Sequence, residues 1–211
     1  MPSDPIIAEI NPSESLAAID LGSNSFHMIV ARPLEGDFQV IDRLKEMVRL
    51  AEGLTEDRDL MPEVATRALA CLERFGQRLR ELPLHRVRAV GTSALRQAEN
   101  TRNFLPAAQA ALGHPIEIIG GSEEARLIYL GVSHSLADDQ GRRLVVDIGG
   151  GSTECVLGER FDAIRTDSLG MGCVSYSLRF FADGKIRGED FRRAEIAARL
   201  KLEPIERRYL D

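Results

Sequence analysis

One short segment of this chain occurs twice. Asp20-Leu21-Gly22-Ser23-Asn24-Ser25 and Asp147-Ile148-Gly149-Gly150-Gly151-Ser152 start at positions 20 and 147, 127 residues apart, and agree at the Asp, the first Gly and the Ser. Each copy follows one apolar run and precedes another, so the repeated unit is strand, turn and strand, not three letters alone. D-x-G by itself is an ordinary hairpin turn. Two copies in matched contexts instead imply two similar lobes whose turns can face each other across a cleft.

Between and after the copies, strand and helix patterns alternate. Leu16 to Asp20, Phe26 to Arg32 and Phe38 to Leu44 read as an antiparallel meander. Pro62, Val64, Ala68, Leu72, Phe75, Leu79 and Leu82 follow the spacing of an amphipathic helix that packs on one sheet face. Val87 to Gly91 reads as a buried strand, with Thr92-Ser93 as the N-cap of a short helix through Arg96. A helix from Thr101 to Leu112 is closed by Gly113, Pro115 to Ile119 is a strand, and Ser122 reads as the cap of a helix from Glu123 to Ser135. From Arg142 the pattern restarts, with strands at Leu144 to Ile148, Thr153 to Leu157 and Asp162 to Ser168, then helices near 171–181 and 189–209. The class is α/β with mixed sheets. The division expected is a leader over 1–15, a first lobe over 16–136 and the beginning of a second lobe over 137–211. Three strands and two helices leave an open sheet edge and a bare helix face, so the second lobe is expected to be truncated.

The 211 residues admit one large domain or two lobes. With 44% hydrophobic and 28% charged residues, the composition is that of a globular protein rather than a disordered chain or coiled coil. The net charge of −6 offers no general attraction for nucleic acid or anionic membranes, so an anionic ligand must be held by local charge. Cys71, Cys155 and Cys173 fit neither a disulfide framework nor a metal spacing and read as apolar fillers. No apolar stretch is long enough to span a bilayer and the N-terminus lacks a signal-peptide pattern, so the location expected is cytoplasmic.

The turn residues suit one kind of ligand. Glycine lets backbone approach closely, and consecutive amides in Gly22, Ser23, Asn24 and Ser25, or in Gly149, Gly150, Gly151, Ser152 and Thr153, can form a nest for phosphate oxygens. Asp20 and Asp147 would stand beside that phosphate, where a carboxylate repels it unless a divalent cation lies between; Mg²⁺, which prefers oxygen ligands and water, fits the need. Neither G-x-x-x-x-G-K-[ST] nor G-x-G-x-x-G occurs, which disfavours a P-loop ATPase and dinucleotide binding. The four histidines show no ligand spacing, and Arg142-Arg143 and Arg192-Arg193 read as solvated charge.

Four ordered segments resemble the signature segments of the exopolyphosphatase/guanosine pentaphosphate phosphohydrolase family. They are Ile19-Asp20-Leu21-Gly22-Ser23-Asn24-Ser25-Phe26-His27-Met28, Gly91-Thr92-Ser93-Ala94-Leu95-Arg96, Ser122-Glu123-Glu124-Ala125-Arg126 and Val146-Asp147-Ile148-Gly149-Gly150-Gly151-Ser152-Thr153-Glu154. The triple glycine and Met171-Gly172-Cys173-Val174-Ser175 lean toward the exopolyphosphatase branch. The resemblance implies a two-lobed actin-like, ribonuclease H-like fold and Mg²⁺-dependent release of terminal phosphate from inorganic polyphosphate, with guanosine pentaphosphate as the alternative substrate. It further implies that Arg96 binds phosphate, that Glu124 acts as general base or water-orienting acceptor, and that Asp147 and Glu154 bind Mg²⁺ through water with Asp20 contributing from the other lobe. A homodimer is expected on the same ground.

Of Glu123 and Glu124, adjacent helix positions point about 100° apart, so one alone enters a cleft. A helix N-terminus lowers a carboxyl pKa while surrounding phosphate raises it, and both outcomes stay open for Glu124. Two other classes also stay open: a non-catalytic binder of polyphosphate or alarmone, and an actin-like kinase or ATPase.

Overall fold

The structure, a computed structural model, describes residues 14–136 and 141–210. Most of the leader read over 1–15, residues 1–13, lies outside them. The first sheet has five strands in the order β3-β2-β1-β4-β5, from β1 (Leu16–Leu21), β2 (Phe26–Leu34), β3 (Asp37–Glu46), β4 (Val87–Gly91) and β5 (Ile116–Ile118). The first three form the expected antiparallel meander, and β4 and β5 join in parallel after helical crossovers. The helices are α1 (Pro62–Leu79), α2 (Ser93–Gln97), α3 (Thr101–Leu112), α4 (Gly121–Ser135), α5 (Cys173–Phe180) and α6 (Gly188–Glu206). The second sheet is the antiparallel meander β6 (Arg142–Ile148), β7 (Thr153–Glu159) and β8 (Asp162–Leu169).

The first core is built by two periodicities meeting. Ile19, Leu21, Phe26, Met28 and Val30 alternate onto one sheet face, while Ala68, Leu72, Phe75 and Leu79 of α1 line its stripe, joined by Phe104, Ala108 and Leu112 of α3. Burying each large side chain contributes about 1.5–3 kcal/mol. Pro62 opens α1 where its missing N–H costs nothing, and Gly113 closes α3 at φ 76.

Helix α4 leaves that core and packs on the second sheet. Ala125 and Tyr129 are buried with Val156 of β7, and the Tyr129 ring occupies the space a side chain at position 158 would need, since a Cβ on Gly158 would lie 2.3 Å from it. The start of α4 therefore lies between the two sheets.

Three local expectations are corrected. Gly120, not Ser122, is the N-cap of α4, and neither it nor Thr92 before α2 makes a side-chain cap hydrogen bond. Cys71 and Cys155 are buried fillers, whereas Cys173 is exposed at the first turn of α5. The uncovered face is present as expected: edge strand β6 exposes Leu144, Val146 and Ile148 at 57%, 51% and 67%, and α6 exposes Ile196 and Leu200 beside it.

Candidate active site

The two turns match in construction. Leu21 pairs with Phe26 around turn 22–25 and Ile148 with Thr153 around turn 149–152, so both hairpins have four-residue turns in the same register. Each turn is held from behind by the segment following the third strand of its own meander. Arg49 and Ala51 amides donate to the carbonyls of Asn24 and Ser23, and the Cys173, Val174 and Ser175 amides at the start of α5 donate to those of Gly149 and Gly150. The amides of Ser23, Asn24, Gly150 and Gly151 donate to no carbonyl among the described residues, the condition for an anion nest.

The turns meet tip to tip. A Cβ on Gly150 would stand 3.2 Å from the Ser23 Cβ and 3.3 Å from the Asn24 Cβ, and one on Gly151 would stand 2.9 Å from the Ser93 Oγ and 3.0 Å from the Ser23 Oγ. The triple glycine is thus the feature that lets one turn approach the other.

Beside this junction lies an ion pair. Arg96, in α2 just beyond β4, donates through Nη1 to Glu124 Oε2 at 3.0 Å and to the Ile119 carbonyl at 2.9 Å. Its Nε and Nη2 edge has no partner among the described residues, leaving two parallel donors suited to a phosphate. Glu123 turns away to Arg126 and Arg88, and those contacts draw its carboxyl below the ordinary value. Glu124 goes the other way. Burial, with Glu154 and Asp20 nearby, pushes it up to about 7 against the lowering effect of Arg96.

The remaining acids crowd the same place. Burial and the charge of Asp147 in the other hairpin push Asp20 up to about 6, although solvent reaches its side chain. Glu154 is 1% exposed; its Oε1 accepts from Ser168 Oγ at 2.8 Å, while its Oε2 is buried without a hydrogen bond. Burial raises its pKa against the hydroxyls of Ser168 and Ser152, the latter close enough to favour ionisation but outside hydrogen-bond geometry. Acids that raise one another, one with an orphaned buried oxygen, fit a divalent cation. No three such side chains converge at ligating distance among the described residues.

A model of the Ppx/GppA phosphatase family matches residues 29–211. The chain belongs to this family. It is 49% identical over 194 residues to a Haemophilus influenzae protein named "Putative exopolyphosphatase", covering 92% of this chain and 60% of that one. A crystal structure of an exopolyphosphatase from Cytophaga hutchinsonii superposes with a TM-score of 0.81 at 26% identity, over 92% of this chain and 62% of that one. A chain of the PilM-PilN type IV pilus biogenesis complex shares the actin-like fold at 9% identity and a TM-score of 0.51, over 90% of this chain and 72% of that one. The chain thus spans about three fifths of the length of the family members it matches. No helix of the described residues is long and apolar enough to cross a membrane.

Within this Ppx/GppA frame, the structure brings Asp20, Arg96, Glu124, Asp147, Glu154 and both turns near one another. The Thr153 hydroxyl donates to the Met171 carbonyl at 2.7 Å, tying β7 to the segment behind the turn. Ser25 Oγ meets His27 Nε2 at 2.8 Å. Ser168 and Ser93 are site neighbours the sequence reading missed. Ser168 lies far along the chain in no motif, and Ser93 read only as a helix cap. The one available signal for Ser168 was its placement at the end of the third strand, in register with Glu154.

Proposed function

We propose that this chain forms the phosphate-binding and catalytic part of an exopolyphosphatase, which hydrolyses the terminal phosphoanhydride of inorganic polyphosphate. The observation that carries this reading is the Arg96–Glu124 pair set beside two glycine turns that meet tip to tip. The turn amides and the free edge of Arg96 bind the terminal phosphoryl group and stabilise charge developing on its equatorial oxygens. Glu124, with a carboxyl close to neutral pH in its poise, accepts a proton from the attacking water. The water oxygen bonds to the terminal phosphorus, the bond to the bridging oxygen breaks, and orthophosphate leaves together with a chain one unit shorter. Asp147 and Glu154, with Asp20 opposite, would hold Mg²⁺, which when bound neutralises phosphate charge and orients the chain.

The name and 49% identity of the Haemophilus influenzae relative favour polyphosphate over guanosine pentaphosphate. The experiment is phosphate release from each substrate, with and without Mg²⁺, by this chain and by Glu124→Gln. Polyphosphate turnover that needs Mg²⁺ and falls by about 10²- to 10⁴-fold in the variant, with ligand affinity kept, supports the proposal. Preference for guanosine pentaphosphate selects the other substrate, and tight binding with no turnover by the unaltered chain selects the non-catalytic binder.

A further inference from the structure

The hydroxyls that open α2 are not spent on the helix. Thr92, at its N-cap, makes no side-chain cap hydrogen bond, and the Ser93 hydroxyl is engaged by another partner. Gln97 stands one turn along the same helix face, and its Nε2 donates to Ser93 Oγ at 2.8 Å. An amide nitrogen only donates, so this contact fills an acceptor side of the hydroxyl and leaves its proton to be given elsewhere. No acceptor among the described residues takes that proton, although Ser93 is 2% exposed. A buried donor with no acceptor is costly and rare, and its presence calls for a partner that comes with a ligand. The second turn lies directly against it, since a Cβ on Gly151 would stand 2.9 Å from Ser93 Oγ. The Gly151 amide likewise donates to no carbonyl among the described residues. Two unspent donors, one from each lobe, therefore border the same spot where the turns meet.

We propose that the Ser93 hydroxyl is a substrate-binding donor that completes the site from α2, giving its proton to the phosphate oxygen that also accepts from the Gly151 amide. Gln97 is a positioning residue: by occupying a lone pair of Ser93 Oγ, it keeps the proton available to that oxygen. This rests on the reading of the turns as a phosphate site and adds to it a neutral contact beside the charged one from Arg96.

The test measures tripolyphosphate binding across a salt series, together with melting of the free protein, for the unaltered chain, Ser93→Ala, Gln97→Glu and the double variant. Ser93→Ala is expected to weaken binding about tenfold to a hundredfold, with the log–log salt slope unchanged because no charge is removed. The free Ser93→Ala protein should melt no lower than the unaltered chain, because the buried donor without an acceptor is gone. Gln97→Glu, at an exposed position, carries the test independently of the core. A carboxylate only accepts, so it draws the Ser93 proton to itself and should cost a similar factor. In the Ser93→Ala background the same change should add less than about threefold. A Gln97→Glu loss that persists undiminished in that background is plain charge repulsion and overturns the proposal. Ser93→Ala binding within about twofold of the unaltered chain, or affinity and melting temperature that fall together, overturns it as well, and each of these results leaves the turn site standing. An unaltered chain that binds no tripolyphosphate overturns the phosphate reading of the turns and the Ser93 contact with it.

Discussion

Arg96 Nη1 donates at once to Glu124 Oε2 at 3.0 Å and to the Ile119 carbonyl at 2.9 Å. One guanidinium thereby ties the end of β5 to the first turn of α4, while its Nε and Nη2 edge has no partner among the described residues. Lysine has a point charge and no second parallel donor. Arg96→Lys is expected to lower kcat/KM by about 10²- to 10³-fold, measured as phosphate release from tripolyphosphate. A loss under about threefold would remove Arg96 from phosphate binding.

Raised carboxyl pKa values make a signed statement about stability. Glu124 at about 7 and Asp20 at about 6 hold protons in the folded chain more tightly than the unfolded chain does. Their contribution is therefore full below about pH 4 and is lost as pH rises through about 6 to 7. Glu124→Gln should melt several degrees above the unaltered chain at pH 8 without divalent ions, and the gap should close toward pH 4. Added Mg²⁺ should narrow it at pH 8 by stabilising the ionised acids of the unaltered chain. A gap that widens on acidification contradicts the burial of Glu124.

Among the described residues, Ser168 is the hydrogen-bond partner of Glu154, holding Oε1 while Oε2 has none. Removing it leaves a buried carboxyl with no donor. Ser168→Ala is expected to weaken Mn²⁺ or Mg²⁺ binding about tenfold, read by electron paramagnetic resonance or calorimetry. In a Glu154→Gln background the same change should add little, because the two act on one ligand. Additive losses would show that Ser168 works elsewhere.

A methyl on Gly151 would press on the hydroxyls of Ser93 and Ser23 at 2.9 and 3.0 Å, whereas one on Gly170 meets nothing within 4 Å. Gly151→Ala should force the turns apart and reduce kcat/KM by about tenfold to a hundredfold. Gly170→Ala should stay within about twofold, and equal effects would deny the turns a shared site.

Much of this architecture was legible because it is local. The α1 stripe, read on to Leu82 though the helix ends at Leu79, the αL stop at Gly113 and the two hairpins follow from side-chain periodicity and glycine chemistry acting over a few residues. The cap expected at Ser122 failed for the opposite reason: α4 starts where the chain crosses between sheets, and a Cβ on Gly121 would lie 2.4 Å from the Ser168 Cβ. Contacts 47 positions apart in sequence, such as Gly121 with Ser168, leave no periodic trace.

The order of residues alone determined that there would be two matched turns, an arginine after β4 and a carboxylate opening α4, since backbone permissiveness and helix direction are properties of neighbours along the chain. Only the tertiary structure decided that Glu124 would sit near neutrality, that Glu154 would keep one bare oxygen, and that the turns would touch. Those outcomes depend on how much water the packing of α4 against the second sheet excludes and which distant charges it brings close. Burial and Coulomb energy are functions of distance in space, which the linear chain does not contain.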